Sequence, residues 1–234
     1  MSLSNILLKH VPRYGLNIPS TKEQVWFRPL LVKEEKKLLQ INEFGTQKEK
    51  INALVEVLES CFEYDKIREL TIVDIQYLFI QLRIKSIGST VTPIFVCPTT
   101  QEKIKLHINL AEVEVTSDPT HTNIIEFPNV QIRMKHPTIS TMIDYDTLQT
   151  NDDEIYNLAL SCIVEIQTID ELIDCSKHTK KELEEFLNTM TKEQFNKILS
   201  FFETMPKIEK SVTYTTSDNV SRTIILKGIS DFFG

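Results

Sequence analysis

The sequence predicts an α+β protein in which helical blocks alternate with antiparallel β-hairpins. Three observations carry this reading. Residues 71–88, TIVDIQYLFIQLRIKSIG, place Ile75, Leu78, Phe79 and Leu82 at helical spacing. Thr71 with Asp74 forms an imperfect capping box at the start, and Gly88 stands at the stop. Residues 91–115 then alternate apolar and polar side chains, and a polar turn at 98–103 folds them into a hairpin. The tail repeats this layout, with strands at 212–215 and 220–226 around a turn at 217–219. Each hairpin follows a helical block, and helices segregated from antiparallel strands define the class.

Taken in order, five segments emerge. Residues 1–21 read as an irregular N-terminal arm, in which Leu3, Ile6, Leu7 and Val11 suggest a short helix that Pro12, Gly15 and Pro19 break. Residues 22–88 combine a strand with helices. VWFRPLL at 25–31 is β-prone, and Pro29 is confined to an edge or a strand end. Trp26, the single tryptophan, is read as a core or interface anchor. A charged helix is expected at 33–42 with Glu34, Glu35, Lys36 and Lys37 on its solvated side. Thr46 and Glu49 cap a helix at 47–63 with the stripe Ile51, Leu54, Val55, Leu58 and Phe62, and the Thr71 helix spans 72–86.

Residues 89–149 hold the first hairpin, then loop-like sequence, then a half-exposed strand at 130–134 that His136 and Pro137 end. Residues 150–206 form a C-terminal helical block. Thr150, Asn151, Asp152 and Asp153 are start signals, and the stripe Ile155, Leu158, Ala159, Cys162, Ile163 and Ile166 supports one helix over 152–175. Boxes at Thr179/Glu182 and Thr191/Gln194 open helices at 180–190 and 192–204. Residues 207–234 are the second hairpin and an apolar tail. Burial of Phe232 or Phe233 is worth about 1.5–3 kcal/mol, so a tail ending in both implies docking, on this chain or on a partner. Trp26, Phe27, Ile229, Phe232 and Phe233 are the candidate partner-binding residues. On this reading, deleting residues 229–234 leaves the fold largely intact and weakens partner binding.

Composition narrows the function. The chain has 234 residues, 41% hydrophobic and 25% charged, ordinary for a globular protein with a real core in one large domain or two small ones. A net charge of −7 argues against a nucleic-acid-binding surface. No apolar run reaches bilayer length, and the N-terminus lacks the layout of a secretory signal, so a cytosolic protein is expected. Five glycines offer no phosphate-cradling loop, and no GxSxG, Walker A or GxGxxG motif occurs. Asp152–Glu154 and the pair Glu184, Glu185 are read as helix caps and solvated faces. His121 and His136 beside them make a hydrolase site the third reading, conditional on their converging in one cleft. Cys61 and Cys162 lie in apolar helical patterns as small hydrophobes, and no CxxC pair exists. Neither an enzyme nor a metal protein is expected.

Four runs carry a resemblance. They are IPSTKEQVWFRPLLVKEEKKLL (18–39), IQYLFIQLRIKSIG (75–88), FVCPTTQEKIKLHINLAEVEV (95–115) and TIILKGISDFFG (223–234). Together they resemble the baseplate hub (assembly) proteins of T4-like contractile-tailed bacteriophages. The resemblance implies a CxxC-like pair in each hairpin, joining as a four-ligand zinc ribbon. Here Cys97 stands alone before Pro98, Thr99 and Thr100, and Thr215, Thr216, Ser217 and Asp218 replace thiols in the tail turn. The β part is thus expected to be a degenerate zinc-ribbon-like fold without metal or other cofactor, its hairpins paired by apolar burial. The resemblance further implies a structural or assembly role through protein–protein binding, with other baseplate and hub proteins as partners. The implied location is the virion tail baseplate, and the host cytoplasm during assembly. An assembly chaperone that leaves the finished particle, and a cytosolic adaptor derived from a zinc-ribbon protein, are the alternatives.

Overall fold

A computed structural model of the chain describes residue 7 and residues 10–144 and 152–233. The chain divides into two compact units, one built from Met1–Thr116 with Lys207–Gly234 and one from Ser117–Pro206. The first and last parts of the sequence therefore fold together, and the expected segment 89–149 divides between the units at residue 116.

The first unit opens with a hairpin where an irregular arm was expected. Strand β1 (Tyr14–Asn17) pairs antiparallel with β2 (Gln24–Phe27), Tyr14 opposite Phe27. Ile18 is fully buried behind the turn, so Pro19 shapes a turn and frees no arm. Leu3 and Ile6 lie outside the described residues. On β2 the alternation is strict: Val25 and Phe27 are buried, Gln24 and Trp26 exposed.

Helix α1 (Val32–Phe44) follows, then α2 (Gln47–Cys61), capped by Thr46 and Glu49 as the sequence indicates. Helix α2 stops at Cys61, short of 63, because Phe62 bridges to Phe27 and stacks on its ring at 4.8 Å. Glu34 corrects its assigned solvated position. It is 4% exposed, and its carboxylate accepts from Arg28 Nη2 at 2.9 Å and from the Leu31 N–H at 2.8 Å. Burial alone would raise this carboxyl, but those bonds hold it below the ordinary value.

Helix α3 (Ile72–Ser86) is buried on more than one side. Ile75, Leu78 and Leu82 are fully buried, and Val73 and Ile80 join a second apolar cluster with Leu106, Leu110, Ile208, Leu226 and Phe232. Its start is fixed by Asp74, itself fully buried. Asp74 Oδ2 accepts from Thr71 N–H (3.1 Å), Thr71 Oγ1 (2.6 Å) and Ser20 Oγ (2.6 Å), and Oδ1 accepts from Ser20 N–H at 2.9 Å. The imperfect box is thus complete, with the first hairpin added to it.

Short strands come next. β3 (Thr90–Val91) pairs with β6 (Ile108–Asn109), and β4 (Ile94–Val96) with β5 (Lys103–Lys105). β7 (Glu114–Thr116) forms one edge of a three-stranded antiparallel sheet whose centre is β12 (Lys207–Thr215) and whose other edge is β13 (Ser221–Lys227). Gly228, at φ +67, then turns the chain into α8 (Gly228–Phe233) against α3; a Cβ there would meet Gln76 at 2.9 Å.

The second unit is a four-stranded antiparallel sheet, in order β11 (Leu172–Asp174), β10 (Ile163–Thr168), β9 (Val130–Met134), β8 (Ile124–Phe127). Strand β9 was expected; β8 was not, because it lies in sequence rich in turn residues. Among the described residues the sheet is accompanied by helices α4 (Ile139–Asp144), α5 (Asp152–Cys162), α6 (Lys180–Asn188) and α7 (Lys192–Thr204). The expected helix at 152–175 is corrected: it ends at Cys162 and continues directly as β10. Ile163, Val164 and Ile166 are β-branched, and a short apolar run satisfies both periods. The core joins Ile132, Met134, Ala159, Cys162, Ile166, Ile198 and Phe201. Thr150 and Asn151 lie outside the described residues, and α6 ends two residues early at Asn188.

Two outcomes follow. Asp74→Ala removes the four hydrogen bonds that cap α3 and tie it to the first hairpin, so it is expected to cost about 1–3 kcal/mol. Urea denaturation followed by Trp26 fluorescence, which reports on the first unit, measures the loss. Phe232 is 1% exposed within the cluster on α3. Phe232→Ala is expected to cost about 3–5 kcal/mol, and deleting residues 229–234 at least as much, in place of the intact fold the sequence suggested. Far-UV circular dichroism melts check both.

Candidate functional site

Of the four candidate contact residues whose side chains are described, one is exposed. Trp26 is 48% exposed, on the face of β2 opposite Phe27, and its indole lies over its cross-strand partner Gly15. Its backbone is fixed, since the Trp26 carbonyl accepts from Glu63 N–H at 2.8 Å. Phe27 and Phe232, at 2% and 1% exposed, lie inside this chain's own core, so neither reaches a partner in this conformation. Ile229 is half-buried, and the Phe233 side chain lies outside the described ones.

The same unit brings the two hairpin turns together. In the first turn Gln101 takes the left-handed conformation at φ 59, and its N–H returns to the Cys97 carbonyl at 2.8 Å. In the second, Asn219 takes φ 59 and its N–H returns to the Thr216 carbonyl at 2.9 Å. The Glu102 carboxylate accepts from Ser217 N–H at 3.1 Å and from Ser217 Oγ, across 115 positions of sequence. Phe95 packs edge-on against Tyr214, and the Tyr214 hydroxyl donates to Cys97 Sγ at 3.5 Å. Arg222, directly opposite Tyr214 in the ladder, donates from Nη1 to Thr216 Oγ1 and Asp218 Oδ1 and from Nη2 to Asp218 Oδ2 at 2.7 Å.

Cys97 is fully buried here. Its thiol is lowered to about 6 by hydrogen bonds from the Thr100 side chain, the Tyr214 hydroxyl and the Thr100 N–H. Of these contacts the Tyr214 bond has ordinary geometry, whereas Thr100 Oγ1 is buried with no partner that meets it. The remaining thiols behave as apolar side chains: burial pushes Cys61 and Cys162 up to about 11, and Cys175 also upward. Around Cys97 the donor set is one thiol, two threonine hydroxyls, a phenol and a carboxylate, with a guanidinium among them. Zinc ribbons use thiolate and imidazole ligands, and an arginine cannot give up its charge to make room for a metal. The residues at this junction do not fit zinc, and no group of three or more candidate ligands occurs among the described residues.

In the second unit His121 and His136 do converge, with Nε2 atoms 2.8 Å apart and both rings against Phe201. Thr204 Oγ1 donates to the Ser200 carbonyl, which leaves it to accept from His121 Nδ1–H at 2.9 Å. His121 Nε2 then accepts from His136 Nε2–H. Burial lowers the His121 pKa, against a smaller upward pull from Asp118. Of the carboxylates weighed as catalytic acids, those whose side chains are described lie elsewhere. Glu184 and Glu185 pair with Lys180 and Lys181 on α6, and the Asp152–Glu154 side chains are not among those described. A depression of about 130 Å³ on this unit is lined by Phe127, Ile132, Phe186, Met190 and other residues that carry no titratable group.

The family described as T4 bacteriophage base plate protein matches residues 11–234. That span is nearly the whole chain, and the protein belongs to this family. Searches among curated proteins and among solved structures gave no match. Membership makes it a structural protein of the phage tail baseplate, with other baseplate proteins as its partners. No described helix is long and apolar enough to cross a membrane.

The Cys97 thiol generates a pH prediction. Its folded value, about 6, lies below the ordinary thiol value of 9.0. The stability it contributes is therefore full above pH 9 and lost as pH falls through 6. Across that window the melting temperature of the wild type is expected to rise relative to Cys97→Ser, measured by differential scanning calorimetry of both proteins.

Proposed function

We propose that this protein helps to build the baseplate hub by binding other tail proteins, without making or breaking covalent bonds. The observation that carries the reading is the T4 base plate family match over residues 11–234. The exposed Trp26 supports it, because a rigid aromatic on a fixed hairpin is a common anchor of protein interfaces. Assembly takes place in the host cytoplasm, and the protein then stays in the tail baseplate. A chaperone that escorts hub subunits and departs, and an adaptor derived from a zinc-ribbon protein, are the competing readings.

Trp26→Ser tests the anchor. Its side chain is half in solvent, so the melting temperature is expected to stay within about 2 °C of wild type. Retention of baseplate proteins from infected-cell extract on the immobilised protein is expected to fall about tenfold or more, in line with an interface hot spot. Undiminished retention removes Trp26 as the anchor. Mass spectrometry of purified particles separates a resident component from a departing chaperone.

A further inference from the structure

The junction between the two hairpin turns gathers inward polar groups and one arginine, and its donors do not suit a metal. Each turn ends on a left-handed residue, Gln101 or Asn219, and directs a side chain inward, Cys97 from the first and Thr216 from the second. Glu102 ties the turns across 115 positions. Among the described residues, the cationic side chain that bonds to an inward group is Arg222, 20% exposed at its side chain, which donates to Thr216. We propose that the Arg222 guanidinium is the built-in cation of this junction, holding Thr216 and Asp218 and facing Cys97 through Tyr214, in the role a structural metal plays between paired turns.

The chemistry suits the assignment. A guanidinium carries a permanent charge and a planar fork of donors, so it gathers several oxygens at once without exchange or chelation. Here the fork meets Asp218 with both Nη atoms, while Thr216 Oγ1 accepts from Nη1 and donates to Asp218. Tyr214, opposite Arg222 on β12, passes a hydrogen bond to the sulfur. The cation thus holds the second turn, and its cross-strand neighbour Tyr214 links that turn to the Cys97 sulfur of the first. Removing the guanidinium leaves inward oxygens and sulfur without a centre. Adding thiols in its place makes the centre metal-dependent.

Three full-length proteins test this. Arg222→Gln is expected to lower the melting temperature by about 2–4 °C, and to lose most of the salt sensitivity that the wild type shows between low and 1 M sodium chloride. The wild type, titrated with cobalt(II) under reducing conditions, is expected to show no thiolate-to-cobalt absorption. A triple variant, Thr100→Cys with Thr216→Cys and Arg222→Ser, is expected to gain that absorption together with a cobalt-dependent rise in melting temperature. Thiolate-to-cobalt absorption in the wild type overturns the proposal, because a metal then occupies the centre. An Arg222→Gln protein that melts like the wild type at every salt concentration overturns it as well. So does a triple variant that folds, by circular dichroism, and takes up no cobalt. If the triple variant does not fold, the first two arms decide.

Discussion

The first unit depends on one buried carboxylate. Asp74 is fully enclosed, and its two oxygens receive four hydrogen bonds, two from Thr71 and two from Ser20. A charge is tolerated inside a protein only when its lone pairs are met by donors. The positive end of the α3 dipole adds to that. Because Ser20 lies in the turn of the β1–β2 hairpin, the bonds that start the central helix also fix the hairpin that carries Trp26. The cap and the presentation of the exposed indole are therefore one interaction. A glutamate at this box position would satisfy Thr71 equally well, but the added methylene would move its oxygens relative to Ser20.

Around that helix the chain closes on itself. Strand β12 returns after the second unit to pair with β7, and α8 brings Phe232 back against the cluster that includes Val73 and Ile80. The apolar C-terminal tail thus completes a core begun far upstream, and the second unit is an insertion between two neighbouring strands of one sheet. Such an arrangement leaves the last residues little freedom to act as a loose docking peptide. Exposed apolar side chains remain on strands of this unit, at Trp26, Ile94, Val96 and Ile225, and on or beside its helices, at Val32, Leu39 and Ile87.

Much of this was legible in the sequence, and the rest failed for identifiable reasons. The boxes at Thr46, Thr71, Thr179 and Thr191 all cap helices, because cap chemistry is local and read from residues three apart. Both hairpins were readable from alternation and turn residues. The switch at Cys162 was not, since Ile163 and Ile166 extend a helical stripe as naturally as they line a strand. Glu34 looked solvated because its neighbours are charged; its burial follows from its bonds to Arg28 and to the Leu31 N–H at the helix start, which an apolar cap residue does not announce. Ser20 and Asp74, or Glu102 and Ser217, meet through the fold, and no spacing within the chain announces either pair. Trp26 and Phe27 are adjacent, and the strand's pleat alone sends one outward and the other into the core.

The persistence of Cys97 at a junction with no second thiol has a physical reading. A buried sulfur that accepts from Tyr214 and is held below the ordinary thiol value favours the anion, and an anion inside a fold is stabilised by a counter-charge. A metal supplies that charge where several thiolates share it. With one thiolate, a dication would be under-coordinated by the protein and open to solvent or to competing ligands. A guanidinium suits the lower anionic charge, because it brings a single charge and directs donors to Asp218 and Thr216 at the same time. A single thiol and a nearby arginine thus meet one electrostatic requirement. The turns keep their left-handed corners because the backbone geometry of the junction is needed under either solution.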